Sequence, residues 1–114
     1  MERTLEYLLE KDALEQAVIR YCTSTDKLDD LDGMLENFTE DAVFDLTALQ
    51  LPRFEGHAQI RAFFEQVFAD MSHHAHLLTN FRVDRLENNE ADVKCYVTGL
   101  GRSKSGTQIC VYVF

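Results

Sequence analysis

Three of the chain's four histidines fall in one stretch, Ser72-His73-His74-Ala75-His76-Leu77-Leu78-Thr79-Asn80-Phe81-Arg82-Val83. From Ala75 onward the stretch alternates as a β-strand does. Successive strand residues point to opposite sides of a sheet. His76, Leu78 and Asn80 are therefore expected on one face, with Leu77, Thr79, Phe81 and Val83 on the other. An imidazole and an amide on a largely apolar strand are costly to bury without hydrogen-bond partners. The group that faces His76 thus decides what chemistry is open to it. A carboxylate there would tie up one ring nitrogen and fix the tautomer. The other nitrogen would be left free to take a proton near neutral pH.

The elements that must position this strand are legible in outline. Leu14, Ala17, Val18, Tyr21, Cys22 and Thr25 follow the spacing of one buried helical stripe, which predicts a helix from Asp12 to about Asp26. Leu5, Leu8 and Leu9 suggest an earlier helical turn. A second helix is predicted from about Leu28 to Phe38, with Gly33 an unfavourable residue inside it. Ala42 to Thr47 reads as a strand and residues 48–55, with the only proline, as irregular. A third helix, about His57 to Met71, has the cleanest periodicity: Ile60, Phe63, Phe64, Val67, Phe68 and Met71. The His76 strand should run to about Glu87 and turn at Asn88-Asn89. Ala91 to Thr98 alternates as the next strand. Gly99 to Gly106 reads as a polar loop, and Thr107 to Phe114 as a last strand. The order predicts a single α+β domain over residues 1–114, with helices segregated to one face of an antiparallel sheet.

Composition narrows the partners. The 114 residues are 46% hydrophobic and carry a net charge of −9. An acidic chain is a poor partner for nucleic acid or anionic membrane, which attract basic patches. The three cysteines are far apart and read as buried thiols of a reducing compartment. The segment Met1-Glu2-Arg3-Thr4-Leu5-Glu6 is too charged for a signal peptide, and no apolar run approaches a membrane span. A cytoplasmic location is expected. His73, His74 and His76 lack the helical spacing of a zinc motif, so no metal and no cofactor are expected. His73 and His74 are placed in a solvated helix–strand connection.

Several motifs, in order, resemble a known family. They are Tyr21 followed by Asp26, then Asp29-Asp30, then Phe38-Thr39-Glu40-Asp41-Ala42-Val43-Phe44. Phe54-Glu55-Gly56-His57-Ala58-Gln59-Ile60-Arg61-Ala62-Phe63-Phe64 comes next. The last are His76-Leu77-Leu78-Thr79-Asn80 and Asn89-Glu90-Ala91-Asp92-Val93. Together they are similar to the SnoaL-like group of the NTF2-like (cystatin-like) superfamily, which includes scytalone dehydratase, polyketide cyclases and ketosteroid isomerase. The resemblance implies a cone-shaped, curved antiparallel sheet wrapped around three helices, with a pocket inside. It also implies a homodimer and a further strand beyond Phe114. Asp26 and His76 match an Asp–His pair in the dehydratase-like members, Tyr21 a tyrosine on the same helix, and Asn80 a polar position on the same strand. The chain departs from the dehydratase in two places. It has no histidine on the last strand, and Leu46 stands where a pocket tyrosine is expected.

The implied function is a cofactor-free lyase or isomerase on a compact, apolar, oxygenated small molecule. His76 would be the base, Asp26 its partner, and Tyr21 and Asn80 the substrate-binding groups. The alternative is a non-catalytic binding or subunit module of the same fold. Read alone, Asp26 is equally a helix-end residue, His76 a structural histidine and Tyr21 a core residue.

Overall fold

The computed structural model describes residues 2–113. The chain forms α1 (Leu5–Lys27), α2 (Leu31–Leu35), β1 (Val43–Asp45), β2 (Arg53–Glu55), α3 (Gly56–Asp70), β3 (Met71–Glu87), β4 (Glu90–Ser103) and β5 (Gln108–Val113). The expected last strand residue, Phe114, lies outside the described residues.

Helix α1 is longer than its stripe predicts, because nothing between Leu9 and Asp12 interrupts it. Thr4 caps its start by accepting from the Tyr7 N–H at 3.1 Å, which satisfies one of the unpaired first-turn donors. Leu28 ends it in the left-handed region at φ +60°. Asp26 is thereby held in the last turn. Helix α2 is only five residues, half the predicted length. Asp30 caps it by accepting from the Gly33 N–H at 3.0 Å. A Cβ at Gly33 would collide with that carboxylate, so the residue that weakened the helix prediction is the one that lets the cap close.

Residues 48–55 are more ordered than expected. A 3-10 turn at Thr47–Leu49 and Gln50 at φ +60° reverse the chain. Strand β2 then pairs antiparallel with β1, with Phe44 opposite Phe54. The main core lies between this hairpin and the helices. Met34, Leu35, Ile60 and Phe64 are its buried centre. Tyr21, Phe38, Phe44, Phe54 and Phe63 surround them, mostly in edge-to-face ring contacts such as Tyr21–Phe38 at 5.8 Å, the arrangement aromatic quadrupoles prefer.

Strands β3, β4 and β5 form a three-stranded antiparallel sheet that does not close on itself. Asn88 and Asn89, at φ +52° and +60°, make the tight β3–β4 turn; two positive-φ residues match the right-handed strand twist. Helix α3 passes into β3 without a loop, so His73 and His74 are strand residues and not part of a solvated connection. Strand β4 runs through Gly99 and Gly101 to Ser103, where a polar loop was expected. Register shifts interrupt β3 opposite β4 between Met71 and His73, Thr79 and Arg82, and Val83 and Arg85. Each adds one residue to β3, and such bulges bend a strand and increase its twist. Among the described residues no helix is long and apolar enough to cross a membrane.

Candidate functional site

The end of α1 packs against β3, and this brings together two residues fifty positions apart. The Asp26 carboxylate meets His76 at two points. Oδ1 accepts from the ring Nδ1 at 2.6 Å and Oδ2 from the backbone N–H at 3.1 Å. Both side chains are largely buried, 28% and 18% exposed. With Nδ1 carrying the proton toward Asp26, Nε2 of the neutral ring holds a lone pair.

His74 lies two residues earlier on the same face. Its ring stands edge-on to that of His76, centroids 5.1 Å apart. Its Nδ1 faces the Thr25 carbonyl at 3.4 Å. Thr25 is itself 2% exposed and donates its hydroxyl to the Tyr21 carbonyl at 2.9 Å. Burial pushes the His74 pKa below the ordinary histidine value, and the neighbouring His76 adds to this. The Thr25 carbonyl and Asp26 oppose it. His74 is therefore held neutral further into the acid range than a free histidine.

Space for the His74 ring comes from β4, while His76 would meet a Cβ on the same strand at ordinary contact distance. His76 pairs with Gly99 and His74 with Gly101. A Cβ at Gly99 would stand 3.6 Å from His76 Nε2. One at Gly101 would stand 2.5 Å from Met71 Cε and 3.1 Å from His74 Cδ2. The pair Gly99-Leu100-Gly101 answers His74-Ala75-His76 residue for residue.

Both histidines line a cavity of about 640 Å³ between helices and sheet. Asp26 stands behind His76 and is not part of the wall. The wall is mostly apolar: Phe44, Phe63, Phe64 and Val67 from the helical side, and Val97, Val111 and Val113 from the sheet. Asp45, Gln66 and Asp70 give it a polar rim, with Gln66 donating to Asp70 at 3.0 Å. The Asp45 carboxyl is held below the usual range by hydrogen bonds from Thr47. No lysine or arginine is among the described residues of the lining. Tyr21 also lines the cavity. Burial, reinforced by Cys22 and Asp26 and partly offset by Thr25, drives its pKa well above the ordinary tyrosine value, so its hydroxyl stays protonated.

Asn80 is elsewhere. It is exposed, lies at φ +55° within the Thr79–Arg82 bulge and does not line the cavity. The expectation that it shares a face with His76 is corrected by this bulge. One extra residue reverses the phase of the strand. Leu77 and Thr79 are exposed, while Phe81 and Val83, expected on the same face as those two, are half-buried. His73 is exposed. His57 shares a 2.7 Å hydrogen bond with the Phe38 carbonyl and ties α3 to the turn that follows α2. Sequence reasoning missed His74 and the two glycines. The available signal was their shared i, i+2 spacing.

A family model of the SnoaL-like domain matches residues 6–113. A proposed aromatic ring hydroxylase from Novosphingobium aromaticivorans is 45% identical, with a TM-score of 0.89 over 91% of this chain and 73% of that one. A proposed scytalone dehydratase from the same organism is 18% identical, with a TM-score of 0.81 over 93% and 70%. An NTF2-like protein of unknown function from Exiguobacterium sp. 255-15 is 15% identical, with a TM-score of 0.66 over 84% and 80%. Comparison with curated proteins yields no match. The two more distant structures share the fold; the domain match over residues 6–113 goes further, and the chain belongs to the SnoaL-like family.

Proposed function

We propose that the cavity binds a compact, mostly apolar, uncharged molecule bearing a carbonyl or hydroxyl group, and that His76 moves a proton on it. Asp26 fixes the tautomer and stabilises the imidazolium that forms. Nε2 takes a proton from the carbon adjacent to the substrate carbonyl, and the electron pair moves onto the carbonyl oxygen. Tyr21, kept protonated, donates to that oxygen as negative charge develops. The outcome is a lyase or isomerase reaction that needs no cofactor. The observation that carries the reading is the 2.6 Å Asp26–His76 contact behind an apolar cavity wall. The name of the 45% identical relative refers to an aromatic ring, and Phe44, Phe63 and Phe64 offer faces for one. Asn80 has no part in this mechanism.

The test uses 1-tetralone in D2O, with the protein freed of metal by chelator. Exchange of the protons next to the carbonyl is followed by NMR. The wild type should exceed the uncatalysed rate, His76→Ala should fall to it, and Asp26→Asn should lie between. Exchange at the background rate in the wild type, or unchanged in His76→Ala, would overturn the reading.

A second reading, a binding subunit assembled as a homodimer, is favoured by one observation. Leu77, Tyr96 and Tyr112 are 53%, 46% and 60% exposed on β3, β4 and β5. Leu77 and Tyr112 both pair with Thr98, and Tyr96 with Thr79, so the three share one sheet face. Sedimentation as a monomer at high concentration would remove it.

A further inference from the structure

The geometry points to a second use of the same corner: Asp26, His74 and His76 form a capture site for a divalent transition cation of the zinc type. One donor atom from each of the three lies within 4.8 Å of the other two. Zinc holds imidazole nitrogen and carboxylate oxygen at about 2.0–2.2 Å in a tetrahedron, which puts donors roughly 3.3 Å apart. The Asp26 Oδ1–His76 Nδ1 contact is shorter than that, at 2.6 Å, so a cation between them displaces the Nδ1 proton and spreads the pair. The widest separation within the trio, up to 4.8 Å, has to close by up to about 1.5 Å, within the reach of a ring rotation.

The donor set is chemically right. Two imidazoles and one carboxylate suit a borderline cation and leave its fourth position for water or a ligand. The two histidines sit at i and i+2 on one strand face, so their rings project side by side. His74 is oriented by the Thr25 carbonyl at 3.4 Å, the kind of outer partner that fixes a metal-binding imidazole. Gly101 keeps the opposite strand clear of the His74 ring. The fourth position opens on the cavity that both histidines line. The histidine run alone gives no sign of such a site, because the third donor lies on α1.

The inference shares residues with the proton-transfer reading but does not rest on it. With Nδ1 of His76 on a bound cation, the neutral ring carries its proton on Nε2, and the lone pair that the base needs is gone. Metal-loaded protein would then be inactive in proton transfer, and the chain's activity would follow zinc supply.

The experiment is calorimetric titration of apo protein with Zn2+ alone, and with Co2+ read by its visible absorption. One equivalent of Zn2+ should bind, with Co2+ giving the intense spectrum of tetrahedral N/O coordination. His74→Ala should weaken binding by at least about 100-fold, since loss of an outer partner alone costs about 10–100-fold, and Asp26→Asn similarly. His73→Ala, on the exposed side, should bind as the wild type does. Circular dichroism of each apo variant separates lost ligation from lost folding. No binding by wild type, binding untouched by His74→Ala in a folded protein, or binding lost in His73→Ala would each overturn the site. The 1-tetralone exchange is measured without metal, so either result can fail while the other stands.

Discussion

The aromatic core and the histidine corner adjoin each other, yet they are built by opposite means. Around Ile60 and Phe64 the chain fills space with rings. Their identities are set by volume and apolarity, and any near-isosteric residue serves about equally well. Around His76 the chain makes space. Gly101 on β4 stands back so that the His74 ring fits, and each imidazole of the corner is held by an oxygen from α1. Stability is concentrated in the first region and chemical capability in the second. Damage to one should therefore leave the other recognisable.

The largest expected effect tests the packed side. Phe64→Ala removes a side chain that is 2% exposed and meets Tyr21, Phe38, Phe44 and Phe63. It should cost about 4 kcal/mol in urea unfolding, as large-to-small aromatic changes in cores do. A loss below about 1 kcal/mol would mean that this core is looser than described. Gly101→Ala tests the cleared side. Its new Cβ would press on Met71 Cε, which can move, and on His74 Cδ2. The expected loss is about 1–2 kcal/mol, as for other overpacked sites, with the His74 ring resonances displaced in NMR spectra. An unmoved His74 would show that Gly101 is not what makes room for it.

Tyr21 belongs to both regions, and pH separates its roles. Its folded pKa is raised above the unfolded value, so the folded state binds more protons in the window between them. Stability is then fully present below the ordinary tyrosine pKa and falls as pH rises through it. Tyr21→Phe should flatten this alkaline decline in urea midpoints measured from pH 8 to 11, with little change at pH 7. A slope unaltered by the substitution would mean that Tyr21 ionises freely in the fold. The smallest effect is at Asn80. Asn80→Ala should leave 1-tetralone exchange within about twofold of wild type and lose roughly 1 kcal/mol, because alanine tolerates φ +55° less well than asparagine. A large loss of exchange with full stability would return Asn80 to the site.

What could be seen beforehand divides along the same line. The packed region was legible because ring and leucine spacing repeats with the helix, so α1 and α3 emerged from local pattern alone. Asp26 and His76 were placed together only through the family's motifs, since nothing local links the end of a helix to a strand fifty residues on. His74 was assigned to a connection because the alternation begins only at Ala75, and the absence of a loop before it is a tertiary outcome. Gly99 and Gly101 were taken for loop residues because glycine ordinarily weakens strands. Only the pairing with His76 and His74 shows why they are strand residues. Asn80 was misplaced by a strict period of two, which a bulge breaks without leaving a mark in the alternation.

The direct passage from Asp70 in α3 to Met71 in β3 has a consequence for how this chain can vary. With no slack between helix and strand, a single residue inserted there would turn His74 and His76 outward and bring His73 and Ala75 inward. Lengths elsewhere, as at 104–107, can drift at little cost. At this joint, viable descendants should differ by substitution and not by length.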